Sequence, residues 1–466
     1  MKKILCILLA GTMLLLAGCS NGESSDTNVS DSGSGTVNED TPAPDNGSSG
    51  DAPDDTPDSG SSDNTGGAVT MIDAFGNNPS VVTSEYTVTE PAEGISDEEM
   101  RQLMIDNSLM TVGDTARMAN VLKKAAAGEE ITVGYIGGSI TEGIGAPDAD
   151  SCWAKLSYDV LCEMYPDTTI NYVNAGLSGT NSTLGIARAE RDLYSEYTPD
   201  IVFIEFAVNN GGEQMDKDSY ESLVRKVLEK DNDPAVVLLF TVLKNEYSCQ
   251  PWMTMVGEYY GLPMISVGNA INPMFHAGLM EWERYSDDES HPNAWGHALV
   301  SDFVKNYFEH VKETADAADG AAALSALPAE ALYSIAYKDM QLLERDQLGA
   351  EIISGFEEYD NIITSFTNGW RYSAKKGAAL KFTAEFKTLF LVFHCNNSDG
   401  FADAQVYIDG ELVNSVSSNR PGGWGNPEAY IAWSTEEDAA SHEVEIRVAE
   451  SDSRMYYGLC GVGIVD

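Results

Sequence analysis

Four short segments of this chain hold the residue types that acyl transfer at a carbonyl carbon requires. They are Gly138-Ser139-Ile140-Thr141, Asn174-Ala175-Gly176-Leu177-Ser178-Gly179, Glu205-Phe206-Ala207-Val208-Asn209-Asn210 and Asp288-Glu289-Ser290-His291-Pro292-Asn293. A serine hydroxyl is a weak nucleophile at neutral pH, so Ser139 needs a base within hydrogen-bond reach, and His291 is the candidate. Asp288, three residues earlier, is placed to accept the other imidazole N–H and hold the tautomer whose lone pair faces the serine. Charge developing on the carbonyl oxygen needs fixed donors: the Ser139 and Gly179 backbone N–H groups and the Asn209 side-chain amide. Losing one such donor typically costs about 2.7–4 kcal/mol of transition-state stabilisation.

These segments meet only if the elements before them share one sheet. Ser139 follows the β-branched run Ile131-Thr-Val-Gly-Tyr-Ile136, and Gly137-Gly138 lets the backbone turn sharply there. Strands are expected at 131–136, 169–173, 201–206, 235–241 and 263–265, and helices at 153–164, 184–194, 220–228, 252–260 and 295–311. Such alternation predicts an α/β domain over 131–314 with a parallel sheet covered on both faces. The carboxyl ends of the strands then converge on one edge, where ligands bind.

With these blocks in this order, the chain resembles the SGNH (GDSL-type) hydrolase superfamily over roughly 131–311. The resemblance implies a flavodoxin-like three-layer α/β/α fold with five parallel strands, Ser139 as nucleophile, Asp288 and His291 as its triad partners, and Ser139, Gly179 and Asn209 as the oxyanion hole. Two positions depart from the family pattern. Gly137-Gly138-Ser139 stands where Gly-Asp-Ser is usual, and Val208-Asn209-Asn210 where Gly-Asn-Asp is frequent. Neither removes a triad or oxyanion group; Val208 changes the pocket beside the oxyanion hole, and Asn210 withdraws a carboxylate that would orient Asn209.

The flanks predict an exported protein. Residues 1–19 carry Lys2 and Lys3, an apolar run and Leu16-Ala17-Gly18-Cys19, which resembles the lipobox of bacterial lipoproteins and would make Cys19 the lipid attachment site. Residues 20–67 are a Ser/Asp/Gly/Pro tether that cannot form a core, with a coil dimension of roughly 40 Å. Residues 68–130 form a lead-in with a strand at 80–88 and a helix at 116–127, and 315–349 a connector. Residues 350–466 read as an all-β sandwich, jelly-roll-like by the resemblance, with Asp409-Gly410 as a hairpin turn. The expected location is extracytoplasmic, with the membrane met only through the lipid.

Composition narrows the partners. With 27 Lys+Arg against 74 Asp+Glu, the net charge of -47 argues against nucleic acid or anionic headgroups, but not against a neutral glycan ester. No CxxC pair or His-x-x-x-His cluster is present, so neither metal nor cofactor is expected. Cys152, Cys162, Cys249, Cys395 and Cys460 read as buried thiols rather than a disulfide framework. His297 reads as helix surface or core. Trp153, Trp282 and Trp295 flank the candidate segments, and Trp424, in Gly422-Gly423-Trp424-Gly425, has the most loop-like setting; these four are the candidate sugar-stacking contacts.

Family members that couple this domain to a jelly roll include carbohydrate acetyl esterases. The leading expectation is therefore a surface-tethered serine esterase removing acetyl or other short acyl groups from a polysaccharide or oligosaccharide. A peptidoglycan O-acetyl esterase, a lipase or arylesterase of the same fold, and a glycan-binding lipoprotein with a vestigial hydrolase domain are the alternatives. Oligomeric state, glycan and acyl chain are left open by the sequence.

Overall fold

The run Ile131–Gly137 (β2) is buried at all seven positions. It is a central strand, with Ile170–Gly176 (β3) on one side and Ile201–Glu205 (β4) on the other, both parallel to it. The computed structural model describes residues 86–317, 320–373 and 376–466. Beyond β4 lie Ala235–Phe240 (β5) and Met264–Ser266 (β6), also parallel, and the sheet closes with the short antiparallel strand Leu109–Thr111 (β1). The order β1-β6-β5-β4-β2-β3 reverses direction between β2 and β4. A crevice opens at such a switch point, beyond the carboxyl ends of the strands. Apart from the added β1, this is the expected flavodoxin-like arrangement.

Alternate strand residues feed two separate cores, as a sheet buried on both faces requires. Ile131, Val133 and Tyr135 of β2 and Phe203 of β4 face one helical layer, Asp97–Ser108 (α1), Ala116–Ala126 (α2), Trp153–Met164 (α4), Val267–His276 (α8) and Ala294–Ala317 (α9). Ile136, Val202 and Ile204 face the other, Ser182–Asp192 (α5), Gln214–Leu228 (α6) and Gln250–Tyr260 (α7). The four-residue turn Ser139–Glu142 (α3) follows β2 directly. Helices α1 and α8 and strand β1 are additions to the expected elements. Residues 86–88 of the strand expected at 80–88 join no sheet, and the rest of it, like the signal, Cys19 and the tether, lies outside the described residues.

The carboxyl-terminal region is a sandwich of two antiparallel sheets. Strand Gln341–Leu343 (β7) opens it, inside what reads as connector, by pairing with the last strand. Next come Glu351–Ser354 (β8), Phe356–Tyr359 (β9), Gly369–Tyr372 (β10), Ala378–Phe386 (β11) and Thr388–Asn396 (β12). Asp403–Ile408 (β13), Glu411–Ser417 (β14), Trp424–Ser434 (β15), Ala440–Val448 (β16) and Tyr457–Val465 (β17) complete it. One sheet runs β15-β12-β17-β10-β9, the other β14-β13-β16-β11-β8. Asp409 and Gly410 both have positive φ, 52° and 85°, as the type I′ hairpin between β13 and β14 demands. Cys152, Cys162, Cys249, Cys395 and Cys460 are free thiols.

Strand β12 explains why the two regions form one unit. Leu389, Leu391 and Phe393 fill the sandwich core, whereas Phe390 and Val392 on the opposite face join the core shared with α5 and α6 of the α/β region. Burying a side chain of this size contributes about 1.5–3 kcal/mol, so docking is driven by the same burial that folds each part. Connector residues are strapped down as well. The buried Glu221 carboxylate accepts the N–H groups of Leu332, Tyr333 and Ser334 at 2.7, 2.5 and 2.9 Å.

Candidate active site

The loop before α9 sets up the first hydrogen bonds. Asp288 Oδ1 accepts the backbone N–H groups of Ser290 and His291 at 2.6 and 2.7 Å, folding the tetrapeptide back on itself. Its Oδ2 accepts His291 Nδ1–H at 2.7 Å, which leaves Nε2 as the acceptor for the Ser139 hydroxyl at 2.9 Å. Residues 152 apart in sequence thus form one chain, Ser139 Oγ to imidazole to carboxylate. Burial opposes ionisation of Asp288, but the imidazole and the two backbone donors outweigh it and hold its pKa at about 2. The carboxylate is therefore charged at neutral pH, as it must be to stabilise an imidazolium. Ser139 is 9 % exposed, and the His291 side chain 25 %.

The expected donors flank this serine. Asn209, in the turn after β4, lies against Gly138: a Cβ there would come within 2.1 Å of Asn209 Oδ1 and 3.0 Å of Nδ2. Asn209 Oδ1 is buried without a hydrogen-bond partner, so Nδ2 is the end available to a ligand. Gly179 has a left-handed φ of +69°, and its loop is tied to the end of β2 by Leu177 N–H donating to Gly137 O at 3.1 Å. Ser178 donates from both its N–H and its hydroxyl to Glu142, one turn after Ser139.

Supporting groups that sequence reasoning missed lie beneath. Glu205, fully buried at the end of β4, accepts Thr141 Oγ1–H at 2.8 Å and Thr241 Oγ1–H at 2.6 Å; burial raises its pKa, and these bonds, with one from the Gly138 N–H, oppose the rise. Arg188 is completely buried and donates to Ala175 O at 2.6 Å, Gly137 O at 2.9 Å and Asp192 Oδ2 at 3.1 Å, holding the ends of β2 and β3. A lone acid closing an apolar strand and a lone arginine on an otherwise buried helix face were the available signals.

Asn210 bonds to the start of α5. Its Oδ1 accepts Ser182 N–H at 2.9 Å and its Nδ2 donates to Ser182 Oγ at 2.6 Å, so it fixes the start of α5, while Asp216 nearby accepts Gly211 N–H at 3.0 Å. Val208 is half-buried against the α4 and α9 core.

Two of the four tryptophans are corrected. Trp153 is 0 % exposed, edge-on to Tyr135 and Phe203 in the core, and has no face for a sugar. Trp282 is buried too; its indole N–H donates to Asp288 O at 2.5 Å, which makes it scaffold for the Asp288–His291 loop. The Trp295 ring is already stacked by the guanidiniums of Arg284 and Arg101, at 4.8 and 5.5 Å. Trp424 alone is open, 62 % exposed, and it lies at the site: its ring covers Gly179, where a Cβ would meet Cζ2 at 2.7 Å. His297 is core, its Nδ1 accepting Trp153 N–H at 3.2 Å and its Nε2 donating to Ile144 O at 3.1 Å.

A serine hydrogen-bonded to an oriented imidazole, beside candidate oxyanion donors at the switch point of a doubly wound sheet, has the geometry that acyl transfer requires. Among the described residues no cluster of ligating side chains could hold a metal ion. Residues 135–299 match the GDSL-like Lipase/Acylhydrolase family. The chain thus contains a domain of that class and is a carboxylic ester hydrolase. It is similar over its two-part architecture to the crystal structure of a two-domain esterase, CEX, active on acetylated mannans and co-crystallised with mannopentaose. Identity is 28 %, TM-score 0.69, and the match covers 78 % of this chain and 98 % of that one. A second structure of the same two-domain esterase gives 28 % identity, a TM-score of 0.68 and the same coverage. No curated protein matches the chain.

Proposed function

We propose that this protein is a serine esterase that removes acetyl groups from a polysaccharide, with acetylated mannan the first substrate to test. The observation that carries the reading is the Ser139–His291–Asp288 chain, at 2.9 and 2.7 Å, on a domain of the acylhydrolase class. Ser139 Oγ attacks the acetyl carbonyl carbon as its proton passes to His291 Nε2, and Asp288 stabilises the imidazolium. The Ser139 and Gly179 N–H groups and the Asn209 amide take up the oxyanion. Collapse breaks the ester C–O bond, His291 protonates the departing sugar oxygen, and an acetyl-serine remains. Water, deprotonated by the same imidazole, then releases acetate and restores the serine.

The polymer preference draws on the similarity to the mannan-active esterase and on Trp424, an exposed ring at the mouth of the site that suits the flat face of a pyranose. The formal charge of -47 favours a neutral glycan over an anionic lipid surface. The amino-terminal sequence supports export and lipid attachment at Cys19, which would hold the enzyme at the outer face of the cell membrane on its acidic tether. The intact hydrogen-bonded chain weighs against a vestigial domain. Purified protein is expected to hydrolyse acetylated mannan, read as acetate released, faster than acetylated xylan or O-acetylated peptidoglycan, and to hydrolyse an aryl acetate faster than a long-chain aryl ester. No acetate from any acylated glycan would sink the proposal.

A further inference from the structure

The Gly179 N–H is a demanding donor to hold. Glycine has more backbone freedom than any other residue, whereas an oxyanion donor contributes only if it is already aimed when charge develops. The α/β region restrains both flanks, Ser178 N–H donating to Glu142 Oε2 at 2.7 Å before the glycine and Thr180 Oγ1–H closing back on Leu177 O at 2.7 Å after it. The Gly179 carbonyl itself is held by the sandwich. Asn426 Nδ2 donates to the Gly179 carbonyl at 3.1 Å, a contact between residues 247 apart. Asn426 Oδ1 accepts Trp424 N–H at 3.1 Å, so one amide ties the strand that carries the exposed ring to the oxyanion loop. The space above Gly179 is filled from the same strand: a Cβ on Gly179 would lie 2.7 Å from Trp424 Cζ2 and 3.0 Å from Asn426 Cβ.

We infer that Asn426 is a positioning residue for ester hydrolysis, acting through the Gly179 peptide, and that the β-sandwich thereby completes the oxyanion hole. The inference rests on the esterase reading above. Glu142 pins the 177–178 peptide plane and Asn426 the 179–180 plane, so the 178–179 peptide that carries the Gly179 N–H is held between two fixed neighbours. Released on one side, the glycine samples orientations in which the donor misses the oxyanion. The effect falls on the transition state rather than on substrate affinity, and it applies to any acyl ester, including one too small to reach the sandwich.

The test uses the full chain and an aryl acetate with no sugar ring. Asn426→Ala removes the amide; Asn426→Asp keeps the side-chain size and the acceptor for Trp424 N–H but removes the donor to Gly179. Both are expected to lower kcat about 10-fold or more, less than outright loss of a donor, with KM within about two-fold of wild type. The rate of Ser139 phosphonylation by a fluorophosphonate, whose oxygen occupies the same hole, should fall in parallel. A kcat within two-fold of wild type in both variants, or a loss that only tracks the folded fraction measured by circular dichroism, overturns the inference. A wild-type protein inert to the aryl acetate and to the fluorophosphonate overturns the esterase reading itself.

Discussion

The Asn209 side chain rests directly on Gly138, its Oδ1 2.1 Å from where a Cβ would be. The departure from the usual Gly-Asp-Ser is therefore built into the site: glycine before Ser139 makes room for the candidate amide donor. Restoring the family's usual residue should harm this enzyme. Gly138→Asp is expected to displace Asn209 and reduce kcat roughly 10²–10³-fold, the cost of one oxyanion donor, with overpacking taking about 1–3 kcal/mol from stability. Steady-state kinetics on an aryl acetate would check this, and unchanged kcat would remove Asn209 from the donor set.

Asp288 orients the imidazole through Nδ1 and carries its charge down to about pH 2. Asp288→Asn preserves shape but favours the wrong tautomer, so kcat should drop on the order of 10³–10⁴-fold with little change in KM. A loss smaller than ten-fold in a folded variant would mean that His291 is held by something else.

His297 makes acid stability testable. Burial lowers its pKa to about 4, against an ordinary value of 6.5 and despite its bond to the Ile144 carbonyl. Between those values the unfolded chain binds a proton that the native protein does not. Its contribution is complete above pH 6.5 and is lost as pH falls toward 4, about 3 kcal/mol in all. Chemical denaturation from pH 7 to 4 should show this loss, and His297→Asn should flatten the slope by about one proton. An identical slope in both proteins would contradict the assignment.

Trp424→Ala should raise KM for acetylated mannan oligosaccharides about 10-fold, the equivalent of ~1.4 kcal/mol of ring stacking, with a smaller effect on an aryl acetate. Equal KM values for the oligosaccharide in variant and wild type would exclude the ring as a glycan platform.

The helix at 153–164 has the bounds that residue periodicity predicts, because Trp153, Ala154, Ser157 and Leu161 recur at helical spacing on one buried face. Helix α8 was hidden by its own composition, with Gly268, Asn269, Asn272 and Pro273 in ten residues, and β17 by glycines at 458, 461 and 463. Helix α1 buries only Met100, Met104, Asn107 and Ser108, too narrow a stripe to stand out. At the site, the hydrogen-bonding residues of the four segments were legible since each sits where a strand ends or a turn begins. Their supports were not. Glu205, Arg188 and Asn426 act through contacts that no local pattern encodes, and Trp153, Trp282 and Trp424 are one residue type with three environments, set by which face of which domain each meets.

If Ser139 is the nucleophile of a charge-stabilised triad, it should react with a fluorophosphonate, and intact-mass analysis of the treated protein reads that reaction. A single phosphonyl adduct per chain is expected, mapped to the peptide containing Ser139, absent in Ser139→Ala and strongly slowed in His291→Ala. No adduct on the folded wild-type protein, or an adduct that persists in Ser139→Ala, would contradict it.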